Sequence, residues 1–237
     1  MWHALQQLAF PSRLYRFCSA FIPWLSIASL ILLATGLTRG FIFAPANPLQ
    51  GQSYRILYLN IPATIASSGM YLAMTAAALL GLLRGRPTAF LTVAAIAPVG
   101  ALFAFISLAT GIAWAQFSAA GRWAWSDGLT AELMLIILYC GIIALWRAGG
   151  EPQKAGRVAA AVTLIGAVNL PFIHHSLLAG TKWLLRGFSP AMHDPLHLTV
   201  TGFLLLFTAL VMMRLRNLIL AAEQRRPWVS ELCLKRG

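Results

Sequence analysis

The stretch GRWAWSDGLTAEL, residues 121–133, sets two tryptophans and two carboxylates between long apolar runs. Indole faces stack on planar ligands, so Trp123 and Trp125, with Trp114 closing the preceding run, form a candidate platform for a flat molecule. An aromatic belt at a membrane interface has the same composition, because the ring is apolar and its N–H seeks water. Asp127 and Glu132 follow. A carboxylate at membrane depth needs a partner or water and marks a site by default. Capping and the helix dipole account for Asp127 better than for Glu132, which sits further in. Arg55, in SYRILYLNIP, is placed either to grip a carboxylate with its planar fork or to touch a lipid headgroup. Asn60 and Pro62 fall about one turn into the next run, where Pro62 is expected to open or kink the helix.

Histidines supply the other reactive groups. NLPFIHHSLLAG carries Asn169, His174, His175 and Ser176, and HDPLH carries His193 and His197. Neutral imidazole ligates metals. Adjacent residues on a helix point about 100° apart, so His174 and His175 make a poor chelating pair, and helix–helix hydrogen bonding competes. His193 and His197 resemble half a zinc site without a third ligand. Pro195 is expected in the first helical turn, so that pair straddles a helix start. Ser176 with His175 lacks the elbow and oriented acid of a hydrolase. No Walker A loop, HExxH or dinucleotide fingerprint occurs, so any ATP use falls to a partner. Cys18, Cys140 and Cys233 are far apart and form no CxxC.

The elements that must position these residues follow from composition. Of 237 residues, 59% are hydrophobic and only 10% charged, and the mean hydropathy is +0.75. A water-soluble domain carries about 25% charged residues. Several runs exceed the roughly 20 residues that cross a bilayer. Helices satisfy their own backbone groups in lipid, and the alternation of a membrane barrel is absent. The predicted fold is all-α: residues 1–237 form one polytopic membrane domain with six spans at about 21–43, 58–83, 89–115, 129–147, 156–179 and 196–220. Residues 1–20 lack a signal-peptide cleavage pattern, so the first span is expected to remain as an anchor.

The net charge of +12 raises nucleic acid as a partner, but the basic residues fall at span ends. Thirteen lie in the N-terminus, the 84–88 turn, the 147–157 loop and the tail, against five (Arg39, Arg55, Arg122, Lys182 and Arg186) on the other side. The positive-inside rule puts both termini in the cytoplasm. A tryptophan-rich loop at about 115–128 and a loop at about 180–195 then face the periplasm, and the tail at about 221–237 is cytoplasmic. The tail sequence RRPWVSELCLKRG is read as a segment on anionic headgroups or as a docking site for a cytoplasmic subunit.

Long ordered stretches carry a resemblance: RLYRF, FIPWLSIAS, GFIFAPA, QGQSYRILYL, PVGALFAFISLATGIAW, LTAELMLIILY, NLPFIHHS and RRPWVSEL. Nearly end to end, the chain resembles the haem-handling protein C family of cytochrome c maturation. The resemblance implies six spans, a periplasmic motif WGxWWxWD, and two periplasmic histidines as axial haem ligands. It implies haem b held transiently and presented to a periplasmic haem chaperone. The implied partners are ATP-binding-cassette subunits and a very small membrane subunit, in the bacterial inner membrane.

Several positions depart from that pattern. The motif reads AAGRWAWS: Trp123 and Trp125 match, Ala119 and Arg122 stand where tryptophans are expected, Ser126 replaces the aspartate with Asp127 one place later, and Gly128 replaces a basic residue. The histidine positions fall on Asn60 and Leu184, the latter in TKWLLRG where TLHQG is typical. Trp114 and Arg55 match. The resemblance therefore implies stacking on Trp123 and Trp125, a wall from Trp114 and a propionate contact from Arg55. His174, His175 and His193 are the candidate substitute iron ligands. An inactivated member that still assembles, a haem binder with a displaced ligand, and a binder of another planar molecule all fit. A structural subunit of an ABC-type complex and a permease subunit for a small solute are the readings from other classes.

Overall fold

The computed structural model describes residues 10–118, 125–168, 170–171, 175, 185, 187–224 and 226–229. Six helices organise them: α1 Pro11–Thr38, α2 Leu57–Arg84, α3 Pro87–Ser118, α4 Asp127–Ala148, α5 Pro152–Ala167 and α6 Pro190–Ala222. A π-turn, Arg39–Phe43, extends α1, and a 3-10 turn, Ser53–Ile56, leads into α2. Among the described residues the only extended pairing is an isolated bridge between Asn47 and Gly51.

Local chemistry sets the helix ends. Proline opens α1, α5 and α6, where its fixed φ suits the first turn and its missing N–H has no partner to lose. Gly85 closes α2 at φ 61°, a left-handed cap that side chains resist. Ser126 caps α4, its hydroxyl oxygen accepting from the Leu129 N–H at 3.3 Å. Capping therefore falls to Ser126, and Asp127 lies in the first turn, where its charge suits the helix dipole.

One expectation about a proline is corrected. α6 begins at Pro190, six residues before the predicted start, so Pro195 lies inside it and His193 and His197 share one helix. Ser189 stands at the N-cap position in extended backbone and Pro190 presets the first turn, so nothing forces the start to wait for Pro195. α2 runs through Pro62 without a break. α1 starts at Pro11, ten residues before the predicted span, and carries Arg13 and Arg16 on its first turns.

The helices form one bundle with α3 at its centre, packed on α2, α4, α5 and α6, while α1 lies along α6. Small residues let backbones approach, as membrane interfaces require. A Cβ on Gly36 would stand 2.9 Å from Thr199 Cγ2 and 3.0 Å from the Thr199 nitrogen. Rings sit on other glycines: Tyr58 on Gly40, Phe90 on Gly81 and Gly156, Tyr139 on Gly100. Phe103 joins α3 to α6 through Phe203 and Phe207, with centroids 5.6 and 5.2 Å away.

The outside of the bundle is apolar, with Trp24 74% exposed among many exposed leucines and isoleucines. Five helical segments among the described residues are long and apolar enough to cross a bilayer: Pro11–Phe43, Ser53–Arg84, Pro87–Gln116, Asp127–Ala148 and Pro190–Ala222. The chain is an integral membrane protein. α5 has 16 described residues, about 24 Å of helix against a hydrocarbon core of about 30 Å. The remainder of the predicted span at 156–179 lies largely outside the described residues.

The start of α1 meets the end of α6. Tyr15, Cys18, Leu215 and Ile219 share a cluster with Leu91 of α3, and Trp228 sets its ring 5.8 Å from that of Tyr15. The first tail residues thus fold back onto the bundle.

Candidate functional site

The opposite end of the bundle is built around the connection from α1 to α2. Asn47 turns the chain: its side-chain oxygen accepts from the Leu49 and Gln50 N–H groups at 2.8 and 3.1 Å. Its backbone exchanges bonds with Gly51, which holds φ 61°. Tyr54, fully buried, donates from its hydroxyl to the Pro45 carbonyl at 2.6 Å. Arg55 donates to the carbonyl oxygens of Phe41 and Ala44, the latter at 2.9 Å, while its Nε is buried with no hydrogen-bond partner. The guanidinium thus spends two of its five donors on carbonyls at the end of the π-turn, Phe41 within it and Ala44 just after it.

An aromatic row runs from this connection to α6. Tyr54 meets Phe188 edge-on at 5.4 Å, and Tyr58 lies 5.8 Å from Tyr54. Phe188 meets His193 at 5.7 Å, and His193 stacks near His197 at 6.3 Å. The Tyr58 hydroxyl donates to the Met192 carbonyl at 3.1 Å, tying α2 to the first turn of α6. Trp114 and Leu185 pack against the same cluster. Three residues singled out from sequence, Arg55, Trp114 and His193, are therefore gathered at one end of the fold.

Asn60 lies one turn deeper. Its amide nitrogen donates to the Ser107 carbonyl at 2.8 Å and the Thr110 hydroxyl at 3.1 Å, so it joins α2 to α3. Leu129, in the first turn of α4, packs on Gly111, where a Cβ would come within 2.9 Å of it. Gly111 precedes Trp114 by one turn, so α4 begins beside the end of α3. Trp125, 49% exposed, stands at that beginning and donates from its ring nitrogen to the Thr130 hydroxyl at 2.6 Å.

His175 is exposed on a helical residue. Trp123, Ala119, Arg122, Asn169, His174, Ser176 and Leu184 lie outside the described residues. Among the described residues no group of three or more His, Cys, Asp or Glu side chains could hold a metal ion, so His193 and His197 remain a pair. Sequence reading passed over Tyr54 and Phe188, which organise this end; a tyrosine beside Arg55 and an aromatic beside a helix cap were the available signals.

A family model described as "Heme exporter protein C" matches residues 4–230. The chain belongs to the heme exporter protein C family. A relative of that name in Escherichia coli (strain K12) is 51% identical over 243 aligned residues, covering 100% of this chain and 99% of its own length. The heme exporter protein C of Haemophilus influenzae is 37% identical, with 98% of each chain covered. That of Bradyrhizobium diazoefficiens is 35% identical over 93% of this chain and 87% of its own. Membership of the heme exporter protein C family agrees with the helical membrane architecture, and the relatives match the chain over nearly all of their length.

Proposed function

We propose that this chain handles haem as cargo, presenting it at the periplasmic face for transfer to a haem chaperone during cytochrome c maturation. In this reading it lies in the bacterial inner membrane with six spans and both termini in the cytoplasm. The meeting of the α1 start with the α6 end supports an even number of crossings. Its partners are ATP-binding-cassette subunits and a small membrane subunit. The step is binding and hand-off, with no bond made or broken by this chain, so it is not an enzyme.

The observation that carries the reading is the gathering of Arg55, Trp114 and His193 around Tyr54 and Phe188, with Trp125 at the neighbouring helix start. Indoles suit the faces of a porphyrin, and a guanidinium suits its propionates. Arg55 holds backbone carbonyls through one hydrogen on each terminal nitrogen, which leaves a second hydrogen on each for an anion. Asn60 and Leu184 offer no imidazole to iron. Of the substitute ligands, His193 has the strongest support, because its ring already contacts the aromatic row. Haem b held this way is retained weakly, since stacking and ion pairing each contribute about 1–3 kcal/mol.

The test is haem hand-off by the chain with its partners, with Trp123→Ala and Trp125→Ala made together. The platform reading expects transfer to be lost while the complex still assembles. Unchanged transfer would support the second reading, a structural subunit of an ABC-type complex.

A further inference from the structure

Glu132 sits on the second turn of α4, about 8 Å along the axis from the first residue of the helix. It is 3% exposed and faces the seam between α2 and α3. Its Oε2 lies 3.4 Å from the Ser67 hydroxyl, and its Oε1 is buried with no hydrogen-bond partner. Among the described residues the ion pairs are Lys154–Glu151 and Arg226–Glu223, both outside the bundle interior.

The hydrogens around Glu132 can be counted. Ser67 has one hydroxyl hydrogen, with the Thr64 carbonyl at 3.0 Å and Glu132 Oε2 at 3.4 Å both in line to accept it. The hydroxyls of Thr64 and Ser107 bond to each other, which uses one of their two hydrogens. Tyr139 donates to the Ser67 carbonyl at 2.7 Å, and Tyr71 donates to the Thr163 carbonyl at 3.2 Å. An ionised Glu132 would therefore find at most two hydroxyl hydrogens for about four acceptor sites, one of them taken from the Thr64 carbonyl. A buried charge left that poorly compensated is strongly disfavoured. A proton on the carboxyl reverses the balance. The acid then becomes a donor, the Ser67 hydrogen stays on the nearer Thr64 carbonyl, and Ser67 Oγ is the acceptor in reach.

We propose that Glu132 is a proton-binding site inside the membrane bundle, held as neutral glutamic acid that donates to Ser67 Oγ. Its ligand is a proton, and the groups that define it come from three helices: Thr64 and Ser67 of α2, Ser107 of α3 and Glu132 of α4. The ionisable neighbours are the phenols Tyr71 of α2 and Tyr139 of α4, with centroids 5.4 Å apart. α3 presents Ser107 and Thr110, which do not titrate, and α5 presents Thr163. A polar row continues from Ser107 through Asn60 and Thr110 toward Arg55 and Trp114, so proton exchange is assigned to that end. The proposal stands independently of haem handling.

The test is infrared difference spectroscopy of the full chain in liposomes at neutral pH. The unaltered protein minus Glu132→Gln is expected to show the carbonyl stretch of a protonated carboxylic acid, and Ser67→Ala is expected to shift that band. Asp127→Asn, at the exposed first turn of α4, should leave it in place. In the same liposomes, membrane-permeant dicyclohexylcarbodiimide is expected to form its adduct on Glu132, read by mass spectrometry, while a water-soluble carbodiimide does not. Loss of an ionised carboxylate band in Glu132→Gln, or equal labelling by the water-soluble reagent, would overturn the proposal. If Glu132→Gln fails to assemble, the Ser67→Ala spectrum decides: a shifted acid band supports the site, and no acid band refutes it.

Discussion

Arg55 donates to the carbonyls of Phe41 and Ala44 across a chain separation that sequence reading did not connect. A π-turn leaves carbonyl oxygens without helical partners, and a planar fork can serve two of them at once. Replacing Arg55 with leucine strands both oxygens. The expected cost is about 1–3 kcal/mol of stability, read as a lower midpoint for thermal unfolding in detergent. Arg55→Lys is expected to recover only part of it, because an ammonium is a point donor. Trp125 and Trp114 stand out in the sequence as aromatic candidates at the ends of apolar runs. That Trp114 joins the Tyr54 cluster, while Trp125 bonds to Thr130, depended on how α3 and α4 meet.

The helices themselves were read from apolar length, and five of the six predicted spans coincide with helices long enough to cross a bilayer. Their ends moved where prolines and caps acted locally, as at Pro11 and Pro190. Helix pairing was not legible, because small residues recur throughout the chain and only some lie at crossings. Gly36 does, and a side chain there meets the Thr199 backbone as well as its methyl group. Gly36→Leu is expected to separate α1 from α6 and cost about 1–3 kcal/mol. A Cβ on Gly69, in α2, meets nothing within 4 Å. Gly69→Ala is therefore expected to be neutral or to stabilise by up to about 1 kcal/mol through helix propensity. Thermal unfolding of both variants in one detergent compares the two directly.

At the scale of the whole molecule, the bundle holds a haem-family architecture without imidazole at Asn60 or Leu184. Restoring it, as Asn60→His with Leu184→His, is expected to raise co-purified haem and give a low-spin bis-imidazole absorbance spectrum. The unaltered chain is expected to lack that spectrum, and finding it there would contradict the proposed weak ligation. Composition and run length determined the membrane location, the helical class and the residues rich in chemistry, because lipid solvation and backbone satisfaction act on each segment by itself. Only the tertiary structure decided that Arg55 serves two carbonyls, that His193 joins the Tyr54–Phe188 row, and that Glu132 faces hydroxyls from two other helices. Those outcomes depend on which helix faces meet, and residues distant in the chain carry no local signal of who their neighbours will be.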